Sequence, residues 1–256
     1  MKITFDKYQG TGNDFVMVDN RDGAFDRNDL KTVSFLCDRK FGVGADGVIL
    51  IEEHSEYDFE MVYFNPDGSQ SLCGNGSRCA VKFAESLGMI STSTEFFAID
   101  GPHRATIHGE LVDLKMNDVK ELEIIGEDIL INTGSPHYLR FVEQTEIIDP
   151  VALGRAVRNS ERFARDGVNV NFVEALSKDE LNIRTYERGV ENETLSCGTG
   201  CTAAAIAHGK RTGANHIKLN AQGGQLYVRF ERENQQFKEV YLKGPAVKVF
   251  SGQIVL

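Results

Sequence analysis

Ser71-Leu-Cys-Gly-Asn-Gly-Ser-Arg-Cys-Ala80 returns in altered form at Leu195-Ser-Cys-Gly-Thr-Gly-Cys-Thr-Ala-Ala204. Each copy is a cysteine followed by Gly-x-Gly, and each opens an alanine-rich run with helical spacing. Cys73 and Cys197 therefore fall where a helix begins. A helix start leaves backbone N–H groups unpaired and carries positive partial charge. Such an end binds anions and lowers a thiol's pKa. Two of them in one chain point to a pair of acid–base thiols facing a small anionic substrate.

Working outward, the surroundings of the two copies also match. Thr11-Gly-Asn-Asp-Phe15 is echoed by Thr133-Gly-Ser-Pro-His137, and Ala45-Asp-Gly-Val-Ile49 by Arg165-Asp-Gly-Val-Asn169. The offsets hold nearly constant: Gly12 to Gly134 is 122, Asp46 to Asp166 is 120, Asn28 to Asp149 is 121 and Cys73 to Cys197 is 124. This spacing implies an internal duplication. The expected fold is α+β: two pseudo-symmetric, strand-rich lobes, each a barrel-like sheet around one central helix. The first lobe is expected over residues 1–116, completed by a C-terminal strand near 246–256, and the second over 117–245. Helices as poor in charge as residues 202–207 belong inside a wrapped sheet. Both thiols would then meet at a cleft between lobes, a favoured place for small-molecule sites.

Local signals fill in the lobes. Strands are expected at residues 3–8, 15–19, 48–51, 59–64 and 129–132, with short strands over 95–116 and from 217 to the end. Asn28 is the expected cap of a helix reaching Lys40, and Asp149 with Pro150 the cap and first position of another reaching Asn159. The helices after Cys73 and Cys197 should stop near Gly88 and Gly213. Asn65-Pro-Asp-Gly68 reads as a turn.

The 256 residues carry a formal charge of -10, which argues against a nucleic-acid partner because such a partner needs a basic stripe. Neither a membrane-length apolar run nor a signal-peptide core is evident, so a cytoplasmic protein is expected. Five cysteines, an odd count, fit a reducing compartment better than a disulfide framework. The loop Phe41-Gly-Val-Gly-Ala-Asp-Gly47 has neither a P-loop nor a dinucleotide fingerprint.

Buried, inert thiols are the common fate of intracellular cysteines, and that reading suits Cys37, Cys79 and Cys201. It suits Cys73 and Cys197 poorly, because two glycines at a helix start favour an ionisable thiol over a core one. A zinc site would want other cysteine spacings, and a redox pair would want Cys-x-x-Cys. Asn13, Asn65, Asn75, Asn169, Glu187 and Arg188 stand at matched loop positions. Asparagines in turns usually serve the backbone, and Glu187 with Arg188 could form a surface pair of small worth. His137, alone after Ser-Pro, would by default be structural.

Gly10-Thr-Gly-Asn-Asp-Phe15, Cys73-Gly-Asn-Gly-Ser-Arg-Cys79, Tyr186-Glu-Arg-Gly189 and Ser196-Cys-Gly-Thr-Gly200 together resemble the diaminopimelate epimerase family, and the match runs end to end. The resemblance implies a cofactor-independent isomerase interconverting LL- and meso-2,6-diaminopimelate, in lysine and cell-wall precursor synthesis, and a homodimer. One cysteine of such enzymes removes the α-proton as thiolate, and the other delivers a proton as thiol to the opposite face. Cys73 and Cys197 match those positions. Gly74, Asn75, Gly198 and Thr199 match residues that bind the α-carboxylate. Asn13, Asn65, Asn169, Glu187 and Arg188 match residues that hold the rest of the substrate, and His137 matches a histidine beside the site. Two positions depart from the family pattern. Ser135 stands where an asparagine is usual and Gly47 where a glutamine is usual, so contacts there are expected to be shorter or redistributed. The rival readings are another two-thiol racemase, of the proline or hydroxyproline type, and a non-catalytic cysteine metal module. Glu187, Arg188 and three asparagines suit a substrate with a second amino and carboxyl group better than a ring.

Overall fold

The computed structural model describes residues 2–256, which divide into two compact units. One unit comprises the chain up to Leu114 together with Gly244–Leu256, and the other is Lys115–Lys243. The first holds β1 (Lys2–Gly10), β2 (Asn13–Asp19), α1 (Leu30–Cys37), β3 (Gly47–Glu52), β4 (Glu60–Phe64), α2 (Gly74–Ser86), β5 (Ser93–Ala98), β6 (Gly101–His108) and β7 (Leu111–Lys115). The second holds β8 (Leu122–Ile125), β9 (Asp128–Asn132), β10 (Pro136–Phe141), α3 (Pro150–Arg158), β11 (Asn169–Ala175), β12 (Glu180–Glu187), β13 (Asn192–Thr194), α4 (Gly198–Thr212), β14 (His216–Ala221), β15 (Gly224–Glu233) and β16 (Gln236–Pro245). The last strand, β17 (Val247–Val255), returns to the first unit.

The duplication is explicit in the strand pairing. In the first unit the ladder runs β17–β1–β2 antiparallel, β2–β3 parallel, β3–β4 antiparallel, β4–β5 parallel, then β5–β6–β7 antiparallel. The second repeats each step as β8–β9–β10, β10–β11, β11–β12, β12–β14 and β14–β15–β16. Strand β13, which pairs with β12, has as its counterpart the single bridge Phe64–Gln70. The fold is thus α+β, two strand-rich lobes of one design, as the repeat implied.

Each sheet wraps a helix. Helix α2 touches β1, β2, β3, β4, β6 and β17, and α4 touches β9, β10, β11, β12, β14 and β15. Only small side chains let a sheet close so tightly, and Cys201 through Gly209 of α4 are all buried. In β3, Val48, Ile49, Leu50 and Ile51 are all fully buried, as expected of a strand covered on both faces. On one side Val48 and Leu50 pack with Val33 and Leu36 of α1.

Some local expectations need correction. Asp29, not Asn28, caps α1: its carboxylate accepts from the Thr32 N–H at 3.1 Å, while Asn28 donates its amide to Asp26 at 3.1 Å. The helix stops at Cys37 rather than Lys40. There Asp38 accepts from the N–H groups of Lys40 and Phe41 at 2.7 and 2.9 Å, a local turn that competes with the helix. Strand β8 was not foreseen; it is short and half-exposed, so it lacks a clear alternation. Asp149 does cap α3, accepting from Val151 and Ala152 at 3.0 Å each, with Pro150 in the first turn. No helix among the described residues is long and apolar enough to cross a membrane.

Helix α3 lies against β12 through Gly154, where an added Cβ would sit 2.4 Å from Cβ of the buried Tyr186. Alanine favours an exposed helix over glycine by about 1 kcal/mol. Here crowding wins. Gly154→Ala is expected to lower stability by about 1–3 kcal/mol, read as a lower urea midpoint. An unchanged or raised midpoint would show that α3 can shift away.

Candidate active site

In the first unit the chain leaves β4 through the Asn65 turn and enters α2 at Cys73. The sulfur caps the helix, accepting from the Gly76 N–H at 3.4 Å. Cys73 is half-buried, and its thiol lies 3.4 Å from Asn13 Oδ1. The orientation of Asn13 is set from behind. Its Nδ2 donates to Asp46 at 2.7 Å, which turns Oδ1 toward Cys73 and toward Asn75 Nδ2, 3.4 Å away. Asp46 and Asp14 share Arg39, at 2.9 and 2.6 Å, and Asp14 also meets the buried Lys7 at 2.7 Å. Burial works to raise the Asp14 carboxyl, but hydrogen bonds from Arg39 and Lys7 outweigh it and hold the group below its ordinary range. Beneath the helix start lies Arg78, fully buried. Its guanidinium donates to Asn75 Oδ1 at 2.9 Å, Gly74 O at 3.3 Å and Pro245 O at 3.4 Å.

In the second unit Cys197 occupies the same place before α4, but it is buried and makes no cap bond with its side chain. Its sulfur instead lies 3.4 Å from Thr199 Oγ1. Burial pushes the Cys197 thiol up, the Glu187 carboxylate adds to the effect, and the Thr199 hydroxyl opposes it. At Cys197 burial thus works against the lowering expected of a helix start.

His137 is fully buried under this helix start. Its Nε2 lies 2.9 Å from both Ser135 Oγ and Thr199 Oγ1. Burial, aided by the charge of Arg188, drives its pKa down to about 3. Asn169 donates to Ser135 at 3.1 Å and accepts the Arg188 backbone N–H at 2.9 Å. Glu187 accepts from Thr194 Oγ1 at 2.9 Å, and Arg188 donates its guanidinium to Asp166 O at 2.9 Å.

The sequence-derived residues thus form two groups. Asn13, Gly74 and Asn75 gather at Cys73; Ser135, His137, Glu187, Gly198 and Thr199 gather at Cys197, linked through Ser135 to Asn169 and from there to Arg188. Asn65 stands apart in behaviour. It holds its own turn, donating to Ser69 O, Ser69 Oγ and Ser71 Oγ at 3.1–3.2 Å and accepting from Tyr63 at 2.9 Å. At Gly47 a Cβ would meet the Tyr63 ring at 2.4 Å and the Phe64 carbonyl oxygen at 2.6 Å, so a larger residue needs both the ring and the strand to move. Cys37 and Cys79 are core thiols pushed up by burial, Cys37 to about 11. Sequence reasoning missed Asp46, Arg39, Arg78, Asn171 and Thr185. Only the Asp-Gly-Val echo at Asp46 and the position of Arg78 inside the cysteine motif gave any hint.

A sequence profile of diaminopimelate epimerases matches residues 5–114 and 129–249. The diaminopimelate epimerase of Flavobacterium psychrophilum is 49% identical over 97% of this chain and 98% of its own. The chain belongs to the diaminopimelate epimerase family. That membership makes it an isomerase, of the amino-acid epimerase kind. The diaminopimelate epimerase of Aquifex aeolicus is 40% identical over 98% of each chain. Among solved structures, a phenazine biosynthesis protein of the PhzF family from Bacillus anthracis superposes with a TM-score of 0.80 at 14% identity, over 100% of each chain. A hydroxyproline epimerase from Agrobacterium vitis does so with 0.73 at 16% identity, over 100% of this chain and 93% of its own. These two share the fold.

A histidine held neutral in the folded chain and free to protonate when unfolded favours unfolding in acid. Its contribution is absent above the ordinary pKa of 6.5 and grows as pH falls toward 3. Folding stability is therefore expected to drop from pH 6.5 to 4.5 with a slope approaching about 1.4 kcal/mol per pH unit. His137→Phe should flatten that window in urea titrations. An equally steep profile in the variant would assign the slope elsewhere.

Proposed function

We propose that this chain interconverts LL- and meso-2,6-diaminopimelate without a cofactor, using Cys73 and Cys197 as acid and base. The observation that carries the reading is the doubled Cys-Gly-x-Gly helix start in a member of this family. Each copy puts a sulfur at a helix start, where the first backbone N–H groups have no partner within the helix. Gly74 with Asn75, and Gly198 with Thr199, would bind the α-carboxylate through those N–H groups. Asn13, Asn65, Asn169, Glu187 and Arg188 would hold the distal amino and carboxyl groups, with Ser135 and Gly47 leaving shorter contacts.

The chemistry demands such an arrangement. An α-proton beside an ionised carboxylate is far less acidic than a thiol, and each unit of mismatch costs about 1.4 kcal/mol. Fixed donors aimed at the carboxylate stabilise the charge that develops as the proton leaves. Inversion needs a base on one face of the carbon and an acid on the other. One sulfur takes the proton as thiolate while the other, as thiol, delivers one to the opposite face, and the roles exchange with the direction of reaction. The product is meso-diaminopimelate for lysine and cell-wall precursor synthesis. The reading includes a cytoplasmic setting, which five free cysteines fit, and assembly as a homodimer.

Incubated with LL-diaminopimelate in deuterated water, the protein is expected to yield meso product carrying one deuteron at the inverted carbon. Meso product without deuterium would exclude solvent-exchanging thiols. Cys73→Ala and Cys197→Ala should each abolish turnover in both directions. Full activity in either variant, or faster turnover of proline or hydroxyproline than of diaminopimelate, would overturn the reading.

A further inference from the structure

The polar stack beneath Cys197 has no counterpart beneath Cys73. Strand register aligns His137 with Asn169 and Asn171 with Thr185 in the second unit, just as Phe15 aligns with Gly47 and Ile49 with Tyr63 in the first. The same three positions are therefore Phe15, Ile49 and Tyr63 in one unit and His137, Asn171 and Thr185 in the other. At these three positions the first helix start meets apolar and aromatic groups: a Cβ on Gly76 would meet Ile49 Cδ1 at 3.1 Å. At Gly200 it would meet Asn171 Oδ1 at 2.4 Å. Burying an imidazole, an amide and a hydroxyl instead is costly unless every group is paired, and the fold itself does not need them.

We infer that Asn171 and Thr185 are positioning residues that hold His137 as its neutral Nε2–H tautomer, so that the Thr199 hydroxyl turns its proton toward Cys197. The Tyr138 carbonyl lies 3.2 Å from Asn171 Nδ2 and can only accept, which fixes the amide nitrogen on that side. The same nitrogen lies 3.1 Å from His137 Nδ1, so its second hydrogen goes there and Nδ1 must present a lone pair. Thr185 Oγ1 completes the lock by donating to Asn171 Oδ1 at 3.0 Å. A neutral ring has one N–H, which is then on Nε2, 2.9 Å from Thr199 Oγ1 and from Ser135 Oγ. Ser135 accepts from Asn169 Nδ2, and its own hydrogen can reach Thr199 Oγ1 at 3.3 Å, so that contact need not take the Thr199 hydrogen. With Thr199 Oγ1 accepting from the ring, its own hydrogen is free to point at Cys197 Sγ, 3.4 Å away. The relay thus offers a donor to the sulfur when it ionises, in a place where burial otherwise disfavours the thiolate. Burial, with the charge of Arg188 adding to it, keeps the ring from taking a second proton.

The inference deepens the proposed role of Cys197 and rests on it, but its first test does not. In full-length protein with ¹⁵N-labelled histidine, His137 is expected to show a protonated Nε2 and a bare Nδ1 from pH 5 to 8. A protonated Nδ1 would overturn the proposal. Asn171→Asp keeps the shape but presents a carboxylate oxygen to Nδ1, so the ring proton should move to Nδ1. Nε2 then accepts from Thr199, turning that hydroxyl away from the sulfur. The expected result is a loss of kcat/KM of about 10- to 100-fold in both directions, with slower alkylation of Cys197 by iodoacetamide, measured in a Cys73→Ser chain. Thr185→Val, which removes only the lock, should move both readouts the same way by less and serves if Asn171→Asp does not fold. A moved ring proton with unchanged kcat/KM and alkylation would overturn the relay. Full turnover by Cys197→Ala would instead remove the function while leaving the tautomer assignment standing.

Discussion

Four backbone N–H groups at the start of a helix have no partner inside that helix, and in both units of this protein that start is enclosed by a sheet. The constraint shapes the local sequence. The cysteine must stand at the cap with its backbone extended, as Cys73 and Cys197 do. The third residue after it must be glycine, because at Gly76 and Gly200 a Cβ would press on the strand below. Most residues that follow are small or apolar, because the sheet wraps the helix, and the buried Arg78 and His208 are hydrogen-bonded. A site for an anion and a site for a thiol arise together from that requirement.

Duplication supplied the frame twice, and divergence then treated the two copies differently. The pairing of strands is the same step for step, down to the short β13 and its remnant bridge at Phe64 and Gln70. The supports of the two sulfurs are not the same. Cys73 faces Asn13, which a carboxylate pair and two cations hold from behind, and its helix rests on apolar strands and the buried Arg78. Cys197 is deeper, its pKa is raised, and it rests on a connected stack of hydroxyls, amides and one neutral imidazole. The two copies thus give their sulfurs different surroundings on the same frame.

Polar groups carry most of this difference, and several find partners distant in sequence. Asp46 reaches Asn13 across 33 residues, and Asn171 reaches His137 across 34. Arg78 reaches Pro245 across 167. Such pairs sharpen the geometry because a wrong orientation would leave a donor or acceptor unpaired in a low-dielectric place.

From the sequence alone came the duplication, the two helix starts, the cysteines at their caps and most of the polar residues near them. These are written in local patterns: a repeated motif, a constant offset, the chemistry of Cys-Gly-x-Gly. Near α1 the local pattern misled, because Asp26, Asn28, Asp29 and Asp38 all compete for the same backbone groups and only packing chooses among them. The burial of Cys197 could not be read from its motif, which is almost the same as that of Cys73; burial is a property of what the sheet brings near. For the same reason Asn171, Thr185 and Arg39 carried no signal, and that the Asn65 amide closes its own turn shows only in the folded chain. Periodicity and motif report which backbone groups need partners. Tertiary structure decides who the partners are, because hydrogen bonds and desolvation act across space and not along the chain.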